Sequence, residues 1–92
     1  MKKTVEIEYV GIEDVQDIMD DAYALMKCGH YVGFEMSNLS SPKISVQVWL
    51  GGWEVGKNMD YGFEFAMSDD AKDVEEMNRC QFVLRSLLKE EE

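Results

Sequence analysis

Strict alternation governs residues 43–50: Ile44, Val46, Val48 and Leu50 are apolar, and Ser45, Gln47 and Trp49 stand between them. Successive side chains of a strand leave on opposite faces, so such a run has one dry face and one wet face, a period that no helix satisfies. The same period recurs three times. At 4–10, Val5, Ile7 and Tyr9 oppose Thr4, Glu6 and Glu8; at 30–36, Val32, Phe34 and Met36 oppose Tyr31, Gly33 and Glu35; at 61–67, Tyr61, Phe63, Phe65 and Met67 oppose Gly62, Glu64 and Ala66. Four strands with one apolar face each predict a mainly antiparallel sheet covered on one side only.

The cover is supplied by two segments of helical period. Ile12, Val15, Ile18, Met19, Ala22, Leu25 and Met26 recur at helical spacing, with Glu13, Asp17, Asp20 and Asp21 on the opposite side. Gly29 then suits a left-handed C-terminal cap, and Lys27 suits the dipole at that end. In the second segment Ser68-Asp69-Asp70 supplies an N-cap, and Val74, Met77, Cys80, Leu84, Leu87 and Leu88 form the inward side, leaving Glu75, Arg79, Phe82 and Ser86 outside. Residues 37–42 and the three-glycine stretch 51–60 read as connections.

The expected fold is therefore a single α+β domain over residues 1–92, a two-layer sandwich in β-α-β-β-β-α order, with a four-stranded, mainly antiparallel sheet and both helices on one face. An apolar fraction of 46% separates this chain from disordered acidic sequences. A charged start without a long apolar run implies a cytoplasmic protein, with no signal peptide and no membrane contact. Cys28 and Cys80 are expected as buried or half-buried free thiols.

Charge decides which functions to discount. Nineteen Asp and Glu against nine Lys and Arg leave a net charge of -10, spread over nearly every segment. A field of that sign repels nucleic acid and acidic membranes and attracts basic partners. The order helix, three strands, helix over residues 13–88 is similar to that of double-stranded-RNA-binding domains, but the basic helix start they use is replaced by Ser68-Asp69-Asp70-Ala71-Lys72-Asp73. Direct nucleic-acid binding is not expected, because phosphate contacts carry most of such affinity.

Catalytic and metal readings find little to stand on. Cys28 and His30 could pair as thiolate and imidazole, and with Cys80 could approach a zinc site, but no cysteine-protease signature and no fourth nitrogen or sulfur ligand accompanies them. Asp69, Asp70 and Asp73 lack the alternating ligand pattern and central glycine of a calcium loop. The expectation is a protein that is not an enzyme and carries neither cofactor nor metal.

Two tryptophans remain. Trp49 is predicted on the outer sheet face. Trp53, in the glycine-rich loop, either folds back to cap the core edge or stands out as a hot spot ringed by carboxylates. Phe82 offers a second contact, most simply for a homodimer. In size, charge and lack of catalytic parts the whole chain resembles the small acidic phage-encoded inhibitors of anti-CRISPR and anti-restriction type; the resemblance rests on no alignable motif. It implies a stoichiometric inhibitor inside a bacterial host cell, a DNA mimic that occupies the basic surface of a nucleic-acid-binding host defence protein such as a nuclease. Its contact residues would come from Glu13, Asp17, Asp20, Asp21, Glu35, Trp49, Trp53, Glu54, Asp60, Glu64, Asp69, Asp70 and Asp73. The alternative is a small regulatory or assembly module, self-associating or binding a small ligand at an oligomer seam.

Overall fold

The computed structural model describes residues 9–38 and 42–91. Within them the chain runs α1 (Ile12–Lys27), β1 (Tyr31–Ser37), β2 (Lys43–Trp49), β3 (Tyr61–Ala66) and α2 (Ala71–Glu90). The sheet has the order β1-β2-β3 and is antiparallel throughout. Its register puts Phe34 opposite Val46 and Val46 opposite Phe63, so the apolar rows read from the sequence fall on one face. On that face Ile44, Val46, Val48, Phe63 and Phe65 join Val15, Ile18, Leu25, Val74, Met77, Cys80 and Leu84 in a single buried cluster. Helix α1 packs over β1, α2 over β3, and the helices against each other.

Local chemistry explains the element ends. Gly11 precedes α1, where its N–H is held by the Asp14 carboxylate at 3.0 Å. At the other end Cys28 is the cap residue and Gly29 follows at φ +95°, while the N–H groups of Gly29 and His30 donate to the carbonyls of Met26 and Leu25. This paired closure is the Schellman motif, which needs a residue free to turn left-handed. Asp70 caps α2 by accepting the Lys72 N–H at 2.9 Å.

Three expectations are met only in part. First, of the expected four-stranded sheet in β-α-β-β-β-α order, the described residues show three strands, in α-β-β-β-α order. Residues 4–8 of the predicted first strand, with Val5, Ile7, Glu6 and Glu8, lie outside the described residues. Tyr9 and Val10, the described end of that segment, stand outside the three strands, and the Val10 N–H donates to the Ser68 carbonyl at 2.8 Å. Second, Ile12, Met19 and Met26 are exposed. Seven apolar positions span a wider arc of α1 than one strand and one helix can cover, and the buried arc is Val15, Ile18, Ala22 and Leu25. For the same reason Phe34 is half-buried and Met36 exposed on the edge strand β1. Third, Cys28 is exposed, because the cap position of α1 turns away from the core; only Cys80 is buried.

A pinned loop and an open sheet face as the candidate site

Between β2 and β3 the chain makes a loop whose backbone is held by an unusual number of polar bonds. Gly51, Gly52 and Gly56 take positive φ, which a side chain would resist. The Asp60 carboxylate accepts the Leu50 N–H at 2.8 Å, and the Asp60 N–H donates to the Val48 carbonyl at 2.8 Å. From inside the loop, the Lys57 ammonium donates to the carbonyls of Leu50 and Gly52, while the Trp49 indole N–H donates to the Lys57 carbonyl at 3.3 Å. His30 fastens the loop to the rest of the fold. Its Nδ1 accepts the Gly51 N–H at 3.0 Å, which places the ring proton on Nε2, 2.6 Å from the Glu91 carboxylate at the end of α2.

The same loop holds apolar side chains out in water. Trp53 is 55% exposed, Val55 is 89% exposed, and Met59 is exposed as well. The reading in which Trp53 caps the core edge is thereby set aside. Glu54 is exposed beside it, whereas Asp60, also expected to meet a partner, holds the loop together.

The sheet face opposite the helices is built in cross-strand rows. Tyr31 pairs with Trp49, edge to face at 5.3 Å; Gly33, Gln47 and Gly62 form the next row; Glu35, Ser45 and Glu64 form the third. Trp49 is thus on the outer face as predicted, half-buried by Tyr31 and the loop. Glu35 and Glu64 flank Ser45, both exposed, with Glu64 3.4 Å from the Lys43 ammonium.

The remaining acids divide into free and committed. Glu13, Asp17 and Asp20 are exposed along one side of α1 and Asp69 is exposed before α2, whereas Asp70, also exposed, is committed as the cap of α2. Asp21 instead faces α2, its Oδ2 3.5 Å from Arg85 Nε and without a proper hydrogen bond; burial raises its pKa, against the pull of the Arg85 charge. Asp73 is turned back onto the fold, accepting the Ser68 hydroxyl at 2.6 Å and the Ala66 N–H at 3.0 Å, and these bonds hold its carboxyl below the usual carboxylate range.

Sequence reasoning did not find what Asp73 does. Its neighbours one and two turns on, Glu76 and Arg79, lie along the same edge: Arg79 donates to the Gly62 carbonyl at 3.1 Å, is held by Glu76, and lies 4.5 Å over the Phe63 ring. Hydrogen bonding to Arg79 lowers the Glu76 pKa. Gly62 and Ala66 turn their backbone groups outward from β3, so this row satisfies groups that would otherwise recruit another strand. The only signal in the sequence is the Asp73, Glu76, Arg79 spacing of three.

The thiols and the imidazole are not brought together chemically. Burial pushes the Cys80 thiol up to about 12, and both ring nitrogens of His30 are occupied by Gly51 and Glu91. Among the described residues no three His, Cys, Asp or Glu side chains converge as a metal site would require, and no helix is long and apolar enough to cross a membrane. No known protein family, curated protein or solved structure matches this chain.

Proposed function

We propose that this chain is a non-enzymatic binding protein that docks on a basic, nucleic-acid-binding protein and competes with that partner's nucleic acid. The observation that carries this reading is the pinned loop, which holds Trp53 and Val55 out in water on a backbone already ordered. Binding then costs little conformational entropy, and a rigid exposed Trp is the residue type that most often anchors protein contacts. The exposed acids Glu13, Asp17, Asp20, Glu35, Glu54 and Glu64 steer a basic surface into place. On α1 the acids Glu13, Asp17 and Asp20 are four and three residues apart, and carboxylates so spaced succeed one another every ~5–6 Å, a line of negative charge of the kind a nucleic-acid channel accepts. A host defence nuclease is the partner class that this chemistry and the chain's size suit.

The test uses the immobilised chain and a bacterial lysate in three forms: unaltered, Trp53→Ala, and Glu13→Lys with Asp17→Lys and Asp20→Lys. Asp21 is left intact because it faces Arg85 within the fold. The expected result is a captured basic protein that duplex DNA displaces, whose capture falls steeply with salt and with either variant. Capture indifferent to duplex DNA, or unaffected by both variants, would sink the proposal.

A further inference from the structure

Helix α1 carries an apolar stripe that is left exposed among the described residues. Ile12 is 53% exposed, Met19 46% and Tyr23 61%, and Met26 is exposed beyond them. With Gln16 they sit at positions 12, 16, 19, 23 and 26, steps of four, three, four and three, which is the heptad seam by which one helix packs along another. The stripe is distinct from the buried arc of Val15, Ile18, Ala22 and Leu25, and it lies opposite Asp21, the side facing α2. It therefore overhangs β1, where exposed Met36 and Ile12 line one shallow hollow.

No carboxylate sits on this stripe, in a chain of net charge -10. A basic partner would be drawn to the acids and away from it. An identical acidic copy, by contrast, can approach closely only through a face from which acids are missing. The flanks also suit self-association: an antiparallel crossing centred on Met19 sets Lys27 of one copy beside Glu13 of the other, twice by symmetry, against one central meeting of Asp20 with Asp20. Lys27 already leans over the Tyr23 ring at 5.1 Å, which holds its cation at the edge of the seam.

We infer that the chain forms an antiparallel homodimer through the α1 seam of Ile12, Gln16, Met19, Tyr23 and Met26, with Met36 at its margin. The strands β1 do not pair directly, because α1 lies over β1 and two helix axes need about 8–10 Å between them, twice the spacing of paired strands. Each copy contributes on the order of 500 Å² of exposed side-chain surface, so the interface totals roughly 1,000 Å², the low end for a specific contact. Each copy keeps its own core, and dissociation falls in the micromolar range. This surface is separate from the Trp53 loop and from Phe82, and its salt dependence has the opposite sign to that of the proposed partner binding: screening the -10 charge strengthens it.

Sedimentation equilibrium of the full chain up to a few hundred micromolar tests the inference. The expected result is a monomer–dimer equilibrium that tightens with added salt, weakens at least tenfold in Met19→Lys and in Tyr23→Lys, and is unchanged in Met19→Leu and Phe82→Lys. Circular dichroism shows that the Lys variants, at exposed positions, remain folded. A chain that stays monomeric at the highest concentration overturns the inference, as does a dimer that both Lys variants leave intact or that Phe82→Lys dissolves.

Discussion

Replacing Asp73 by Asn or Ala measures how far a carboxylate counted among the partner contacts is in fact part of the fold. Its oxygens hold the Ala66 N–H at 3.0 Å and the Ser68 hydroxyl at 2.6 Å, tying the end of β3 to the first turn of α2. Hydrogen bonds to an ionised acceptor contribute about 1.5–3 kcal/mol when buried. Asp73 is only half-buried, and solvent screening reduces the pair to about 1–2 kcal/mol together, near the loss of a helix N-cap. For a domain of this size that is a fall of roughly 4–8 °C in Tm per kcal/mol. Asn keeps one acceptor and loses about half as much as Ala. The pH dependence separates this mechanism from a packing loss. The folded pKa lies below the ordinary 3.8, so the unfolded chain takes up the proton first as pH falls. The increment is complete above the unfolded value and is lost as pH falls from there through the lowered folded value. Urea unfolding followed by circular dichroism at about pH 7 and about pH 2.5 should show the gap between wild type and Asp73→Asn closing in acid. An Asn variant as stable as wild type at neutral pH, or a gap unchanged in acid, would refute the reasoning.

Phe65→Ala removes one of the largest fully buried side chains and should cost about 3–5 kcal/mol in urea unfolding, enough to threaten a domain of this size; a loss under about 1 kcal/mol would contradict the core assignment. Lys57→Met removes the ammonium from the carbonyls of Leu50 and Gly52, and should cost about 1 kcal/mol and speed amide exchange at Gly52 and Asp60; unchanged exchange would show that the loop is not pinned there. Arg85→Ala leaves the half-buried Asp21 carboxylate without its cation. Because burial already raises the Asp21 pKa, the deficit should be largest at neutral pH and shrink as pH falls through that raised value, and a pH-independent deficit would argue against it. Iodoacetamide should modify Cys28 alone in the folded protein, since Cys80 is buried with its thiol pushed up to about 12; equal labelling of both would place the α2 core face wrongly.

The five described elements were legible in the sequence, because period two and period 3.6 are local properties. The alternation at 43–50 becomes β2, Phe63 and Phe65 do face the core, and Gly29 closes α1 in the left-handed conformation its position implied. Net charge and the absence of a catalytic motif are likewise read from residue types alone. Only the tertiary structure decided which apolar residues are dry. Ile12, Met19 and Met26 match the helical pattern as well as Val15 and Leu25 do, yet stay exposed, because burial depends on how wide an arc the neighbouring elements cover. It also decided which acids remain free. Asp73 is bound to Ala66 and Ser68, Asp60 to Leu50, Asp21 faces Arg85, and His30 joins Gly51 on one side to Glu91, 61 positions from His30, on the other. A carboxylate on a helix reads the same whether it faces water or a backbone N–H, since the partner that commits it comes from another element and is placed only when the two layers pack.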